Sequence, residues 1–589
     1  MTEQWLLTSK RADFNAIASR FQISPVLARL MRNRDLITDD EMRSYLYGTM
    51  KDLPSSHLLK DVDLAAEIML QKIQQKRKIR IISDYDVDGV SSNYILWNGL
   101  RRCGADVDYR IPDRIEDGYG INIHLIDQAK TDSVDTIITC DNGIAAIDQI
   151  AYANSLGMTV IVTDHHDIPY EEIEGNMIYH VPDAAAVVNP KQKDCNYPFK
   201  SICGAVVSMK FIEVLYEKCG IARKEIEAFY TMATLATVCD VMPLRGENRI
   251  LVKAGLAQIQ DTDIIGLRAL LQANELRNHR ITAYHLGFII GPCINASGRL
   301  ATARQAMELL ICQDEEKALA MAIELTKLNE ERKEMTKKGV EQAIDYLEST
   351  GHCKDKVLIV LLEDCHESIA GIIAGRVREY YNKPSFVLTK TKNGVKGSGR
   401  SIEAYQMFEE MTKVKDCFTK YGGHPMAAGL SMEEEKVEEL RQRLNANTSL
   451  EEKDFISTVR IDIAVPLYYI SEHFIEELSM MEPFGMENEK PLFAQKDLQI
   501  CSLKVLGNSG RCVKMYVKDA AGNGMDALYF GEADHFVKEM EEHFGKDAIN
   551  RIKRGLYTNV KMHVTYYPQM NEWRGERTLQ IVIQNYRFA

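Results

Sequence analysis

Residues 76–104 read KRKIRIISDYDVDGVSSNYILWNGLRRCG, and this stretch decides the fold. Its opening KRKIRIIS turns from basic to aliphatic and reads as a strand ending at Ser83, while residues 90–103 carry helical spacing and stop at Gly104. Outward from it, residues 107–111 read as a second strand and residues 134–140 as a third. Residues 144 to about 156 read as a helix closed by Gly157, and residues 159–163 as a fourth strand. Strand and helix in alternation predict a parallel sheet covered by helices.

Upstream, residues 1–55 read as short helices of mixed polarity, with a helix-start signal at Thr38-Asp39-Asp40. Downstream, helices dominate to about residue 350, and the stretch from 303 to about 347 lacks proline throughout and glycine until Gly339, which predicts a connecting strut. A second, smaller α/β pattern follows, with strand 357–362, helix 368–381, strand 385–389 and the segments GVKGSGRSI (394–402) and YGGHPMAAGL (421–430). From about residue 455 the runs lengthen and alternate between turn signals GNSG, AGNG and NEWRG, which predicts a small antiparallel barrel. The expected division is therefore 1–55 helical extension, 56–300 parallel-sheet domain, 301–350 connecting helix, 351–450 smaller α/β domain and 451–589 barrel.

With 589 residues the chain has room for about four domain-sized units, and 45% hydrophobic with 27% charged residues is an ordinary folded composition. Neither a membrane span nor a signal-peptide core is legible, so a cytoplasmic protein with no membrane partner is expected. Thirteen cysteines, the nearest pair being Cys195 and Cys203, write neither a paired disulfide framework nor a CxxC zinc site. A formal charge of −13 argues against holding nucleic acid by bulk charge, so any such role must rest on particular residues.

Three carboxylates at alternate positions, Asp84, Asp86 and Asp88, stand between a strand and a helix, where an open α/β sheet binds ligands. A calcium loop of the DxDxDG type would need glutamate at its twelfth position, which here is Ile95, and a plain solvated acidic turn is the remaining alternative. TCDNG places Asp141 at the end of the next strand, and TDHH places Asp164, His165 and His166 at the end of another. Asp141 alone would serve as a helix cap and a lone histidine as a satisfied surface group; their coincidence at successive strand ends discounts that. Asp240 in ATVCDVMPL follows an apolar helix, where the dipole disfavours a carboxylate unless a cation compensates. Asp84, Asp86, Asp88, Asp141 and Asp240 in one cleft would need divalent cations; oxygen ligands with imidazole favour Mn²⁺ or Mg²⁺, and two ions suit so many ligands. Such a pair stabilises the attacking and leaving oxygens of a phosphoryl displacement.

SDYDVDGVSS, TCDNG, VTDHH, ATVCDVMPL and INASGRL, in this order, resemble the DHH phosphoesterase superfamily, and the later motifs resemble its RecJ family of single-strand-specific 5′ to 3′ DNA exonucleases. The resemblance spans roughly residues 50–589 and identifies the parallel-sheet domain as a DHH domain, the smaller one as DHH-associated and the barrel as an OB fold. It implies Asp84, Asp86, Asp88, Asp141, His165 and Asp240 as metal ligands, His166 facing the scissile phosphate, Asp141 and Asp164 as catalytic groups, and Asp164 orienting the imidazoles. Arg114 in IPDRIEDGYG, with Asn295 and Arg299 in INASGRL, would contact the DNA backbone; Ser398 and Arg400 would bind a 5′ phosphate, and Gly422, Gly423 and His424 would meet the strand. A salt bridge or a glycine-rich hairpin would explain the same arginines and glycines without a ligand. On the barrel, Lys504, Arg511, Lys514, Tyr516, Trp573 and Arg574 are candidate strand contacts, although sixteen basic and eighteen acidic residues from 455 to 589 make no uniform trap, and the aromatics would equally suit core or partner contacts.

The implied activity is removal of 5′-mononucleotides from single-stranded DNA during recombination and repair, with a single-strand-binding protein or helicase as candidate partner. Hydrolysis of short oligonucleotides or cyclic dinucleotides, and a non-catalytic replication scaffold, are the rival readings; chain length opposes the first and the intact acids oppose the second. Ser83, Cys293 and Glu487 depart from the RecJ pattern, which usually has glycine, a basic residue and glycine there.

Overall fold

The computed structural model describes residues 3–114, 117–173, 175–392, 394–507, 510–573 and 575–589. These form two compact units, one from Leu53–Met242 with Leu251–Ser457, the other from Glu3–Asp52, Pro243–Ile250 and Thr458–Ala589. Among the described residues, no helix is long and apolar enough to cross a membrane.

The first unit begins with strands β1 (Lys78–Ser83), β2 (Asp106–Arg110), β3 (Thr136–Cys140), β4 (Thr159–Thr163) and β5 (Ala186–Val188). They form one sheet in the order β2-β1-β3-β4-β5, parallel throughout. β3 is TIITC with every residue buried, as expected of a strand covered on both faces. The order reverses between β1 and β3, and at that switch point the carboxyl ends of both strands open onto a crevice. Helix α1 (Val87–Arg102) follows β1, and α2 (Gly204–Cys219) packs against it. Helix α3 (Tyr230–Cys239) and α4 (Gly291–Leu300) complete the surroundings of the crevice.

The predicted strut is two helices. Residues Arg304–Ile311 form a short one, and after a break at Cys312 the Asp314 carboxylate caps α5 (Glu315–Thr350), accepting from the Lys317 N–H at 3.0 Å. Next come β6 (Leu358–Leu362), α6 (Ala370–Tyr381), β7 (Ser385–Thr391), β8 (Gly394–Arg400), β9 (Lys420–His424) and β10 (Ala427–Met432). Their sheet has the order β9-β10-β8-β7-β6, with only β6 and β7 parallel.

In the second unit, β11 (Ile463–Ala464), β12 (Phe493–Leu506), β13 (Cys512–Lys518), β14 (Gly524–Phe530), β15 (Lys561–Trp573) and β16 (Glu576–Phe588) pair in the order β11-β12-β13-β14-β16-β15. β15 also pairs with β12, so five strands close on themselves and leave no long open edge. Residues 1–55, expected to be helical throughout, contribute a strand instead at Glu3–Leu7, which pairs with Ser457–Ile461. Its partner lies some 450 positions away, so no local pattern announces it. The helices after it bury Leu27, Leu30 and Met31 in one core with Phe474 and Phe493.

Arg249 fixes that core from inside. It is 1% exposed, and its guanidinium donates to the carbonyls of Tyr45 (2.9 Å), Met480 (2.8 Å) and Met481 (2.8 Å), with the Tyr45 ring beneath it. Replacing Arg249 with methionine removes three buried hydrogen bonds, of which, among the described residues, only the one to Met481 has other donors, Tyr45 and Asn488, to replace it, and is expected to cost about 3 kcal/mol. Urea denaturation followed by circular dichroism measures this; an unchanged midpoint would contradict the role.

Candidate active site

The acids converge because the strand register aligns the turns that carry them. Ser83 pairs with Cys140, Cys140 with Thr163, and Thr163 with Val188, so Asp84, Asp141, Asp164 and Asn189 leave the sheet at one level. Asp141 takes the left-handed conformation (φ 59°), uncommon outside glycine, and its N–H still donates to the Thr163 carbonyl at 3.1 Å. Asp86 caps α1, accepting from the Gly89 N–H at 3.0 Å, and Gly89 lies so close to the chain that a Cβ there would sit 2.4 Å from the Asp84 carbonyl oxygen. Asp88, in the first turn of α1, accepts from the N–H groups of Gly204 (2.6 Å) and Ala205 (2.8 Å) at the start of α2. A Cβ at Gly204 would meet the Asp141 Cβ at 2.8 Å, so only glycine lets α2 reach this deep. Asp240 ends α3.

His165 Nε2 stands 3.0 Å from Asp141 Oδ1, 3.5 Å from Asp88 Oδ2 and 3.6 Å from Asp240 Oδ2. Three overlapping three-ligand groupings result, Asp84/Asp86/Asp141, Asp88/His165/Asp240 and Asp141/His165/His166, each with its ligand atoms within 4.8 Å of one another. Asp84 Oδ1, Asp141 Oδ1 and Asp240 Oδ2 are buried and accept no hydrogen bond. Burial, with the neighbouring carboxylates, drives Asp84, Asp86 and Asp141 above the usual carboxylate range and Asp240 up to about 8. Orphaned oxygens and mutual repulsion are what a site for divalent cations presents, and the donor set of carboxylates with one imidazole fits Mn²⁺ or Mg²⁺.

Asp164 is turned away from this cluster and holds the histidine segment. Its Oδ1 accepts from His166 Nδ1 (2.8 Å) and from the N–H groups of His165 (2.7 Å) and His166 (3.1 Å), while Oδ2 accepts from the Ile144 N–H (2.9 Å). Burial disfavours charge on both partners, yet their hydrogen bond and opposite charges prevail, holding the Asp164 carboxyl below its usual range and raising His166 to about 9. His166 therefore carries a proton outward, its side chain 45% exposed. One residue passed over in the sequence stands against it: Tyr119 Oη donates to the Asp141 carbonyl at 3.0 Å and lies 3.2 Å from His166 Nε2. The signal for it was the DGYG that follows Arg114.

Beside the acids, a cleft of about 450 Å³ is lined by Tyr85, Arg114, Tyr119, Ser368, Ser398 and Gly422, joining the two α/β domains. Lys396 and Lys420 line it too and were likewise passed over. Arg114 lies over the Tyr85 ring, 4.9 Å from its centre. Arg299 donates to the Ser368 carbonyl at 2.6 Å, and Arg400 to the Gly399 carbonyl at 2.8 Å; neither arginine uses a carboxylate in these contacts. Asn295 accepts from the Val87 N–H at 3.2 Å, helping Asp86 cap α1. Gly423 and His424 lie on β9 with His424 exposed. On the barrel, Lys504 pairs in register with Lys514, and Ser502 with Tyr516, which places Lys504, Lys514 and Tyr516 on one outer face; Lys514 is already ion-paired to Asp526 at 2.7 Å. Arg511 is exposed, and Arg574 and the Trp573 side chain lie outside the described residues.

Family models match in three places: "DHH family, N-terminal domain" over residues 78–238, "DHHA1 domain" over 354–449 and "RecJ OB domain" over 461–585. The single-stranded-DNA-specific exonuclease RecJ of Bacillus subtilis is 30% identical over 97% of this chain and 69% of its own length. The protein of the same name from Salmonella typhimurium is 30% identical over 99% of both chains. The chain belongs to the RecJ family. A crystal structure of RecJ in complex with Mn²⁺ from Thermus thermophilus superposes with TM-score 0.81 at 25% identity, covering all of this chain and 80% of that one. The RecJ-family fold is thus shared end to end, barrel included. At the three positions singled out in the sequence, Ser83 accepts from Asn93 Nδ2 at 3.0 Å, Cys293 is buried with its thiol 3.2 Å from the Ile289 carbonyl, and Glu487 (φ 56°) forms an ion pair with Arg245.

The crowding of acids has a measurable sign. Carboxyls whose folded pKa lies above the unfolded value near 3.8 stabilise the fold only while protonated. Without cations, stability is therefore expected to fall as pH rises from about 4 to about 8, and added Mn²⁺ to reverse the fall. Asp141→Asn should melt higher than the wild type at pH about 8 without metal and lose most of the Mn²⁺ increment. Scanning fluorimetry checks all three; a Mn²⁺ increment retained in full would remove Asp141 from the ligand set.

Proposed function

We propose that this chain is a single-stranded-DNA-specific exonuclease that releases 5′-mononucleotides from the 5′ end of a strand, acting in recombination and repair in the cytoplasm. The observation that carries the reading is the joining of the acid–imidazole cluster to a cleft lined by cations and glycines on the DHH-associated sheet. In this reading Asp84, Asp86, Asp88, Asp141, His165 and Asp240 hold two divalent cations, Mn²⁺ or Mg²⁺. When bound, those cations supply Lewis-acid stabilisation of the phosphoryl group and ready a water for attack.

The chain's own residues do the rest. Ser398, Arg400 and Arg114 receive the terminal 5′ phosphate, and Arg299, anchored on Ser368, fixes the backbone as it enters. His166, protonated through Asp164, points its Nε2–H at the phosphoryl oxygens and stabilises the added charge. Tyr119 holds that ring in place between turnovers. The barrel grips the emerging strand through the face that carries Lys504, Lys514 and Tyr516, and a single-strand-binding protein or helicase would deliver it. Residues 56–300 supply the chemistry, 351–450 the strand end, and 451–589 the hold on the strand.

End-labelled single-stranded and duplex DNA incubated with Mn²⁺ tests the function. Early loss of a 5′ label from the single strand alone is expected; earlier loss of a 3′ label would overturn the polarity. Asp141→Ala should abolish turnover while keeping the wild-type circular dichroism. For Tyr119→Phe, kcat is expected to fall about 10- to 100-fold with KM little changed, because the ring packing stays and only the hydroxyl that positions His166 is lost. A rise in KM alone would make Tyr119 a strand contact.

A further inference from the structure

A second concave site lies away from the acids, between α5 and α6, with a volume of about 630 Å³. Its rim carries Arg332, Lys333 and Lys337 from α5 and Arg376 from α6. Its floor is apolar, formed by Val340, Ile372 and the ring of Tyr380, which is 51% exposed. Two carboxylates also line it, Glu341 and Glu379, and these pair with Lys337 at 3.8 Å and Arg376 at 2.9 Å. Lys333 is paired as well, with Glu330 at 2.8 Å, so four cations stand against three acids and the hollow keeps an excess of one positive charge, on Arg332.

This hollow continues the cationic series of the cleft. Arg114 acts on Arg400 and Arg299, Arg332 on Arg299, and Arg376 on Arg332, so each guanidinium senses the next. Burial, with Arg114 and Arg332 beside it, pushes Arg299 down to about 10. Arg332 is aimed by Asn329, whose Oδ1 accepts from its Nε at 3.2 Å. Guanidinium groups that repel one another are relieved by an anion placed among them, although Glu330 already supplies part of that relief at Arg332. An apolar floor beneath a cationic rim calls for more than a phosphate, and the volume is that of a small-molecule site.

We propose that the groove between α5 and α6 binds a nucleotide, its base against Tyr380, Val340 and Ile372 and its phosphate on Arg332, Lys333, Lys337 and Arg376. The occupant is either a unit of a polynucleotide strand lying along α5 or a free mononucleotide; the recognising chemistry is the same. None of the acid–imidazole residues takes part, so the groove stands or falls apart from the nuclease reading.

Binding without cleavage tests it. The full chain in EDTA is titrated with dAMP by calorimetry and with a fluorescent 5′-hydroxyl dT20 by anisotropy, alongside the exposed-residue variants Lys333→Glu/Lys337→Glu and Tyr380→Ala. Loss of one dAMP site in both variants supports the proposal and names a free nucleotide as occupant. A dT20 dissociation constant raised about tenfold with dAMP binding unchanged supports it and names the strand. If both variants bind both probes as the wild type does, the groove is only a helix–helix surface and the proposal is overturned.

Discussion

Mutual repulsion in the cluster of acids is the constraint around which the first unit is arranged, since burial and their neighbours make Asp84, Asp86, Asp141 and Asp240 unstable as anions without a compensating charge. Part of the compensation is backbone. Asp86 and Asp88 sit where the N-termini of α1 and α2 present free N–H groups, and the positive ends of both helices face the cluster. Asp240 has the opposite placement, at the negative end of α3, and although His166 and Lys191 favour its charge, burial and the neighbouring acids outweigh them until a cation or a proton is bound. Strain collects at the same place: Asp141 is left-handed, and so is Val241 (φ 55°), where a branched side chain would ordinarily give way to glycine. A fold that tolerates both conformations beside five acids has placed ligand binding ahead of its own stability.

The parallel sheet was legible because β1, β3 and β4 are short aliphatic runs bounded by helical spacing, and their burial on both faces leaves them no polar alternation to blur the pattern. The acids were legible for a related reason: side chains gathered into one cluster at successive strand ends recur at a regular place in the pattern. What the sequence withheld was contact between distant segments. Nothing in QWLL foretells a partner strand at Ser457–Ile461, and nothing in INASGRL tells that Asn295 turns back to the Val87 N–H while Arg299 reaches Ser368. Helix ends moved for local reasons. The helix after TCDNG begins at Ile147 because Asp141 is drawn into the cluster and cannot cap it, and the strut breaks where Asp314 offers a better cap than continuation does. In the barrel, Phe536, Met540, Ile549 and Ile552 have helical spacing and form two buried faces between β14 and β15, a pattern masked by the stronger alternation around it.

An excess of acid over base and a nucleic-acid substrate are compatible because the charge is sorted by depth. The acids of the centre are buried and destined for cations, so with two divalent ions in place their contribution to the long-range field is largely cancelled. Among the described residues, cations stand near one another beside the cleft, where Arg114 lies close enough to act on Arg299 and Arg400, and on the barrel, where Lys504 pairs in register with Lys514. Excess acid elsewhere in the chain does not cancel such local attraction, because salt screens charges more than about 10 Å away.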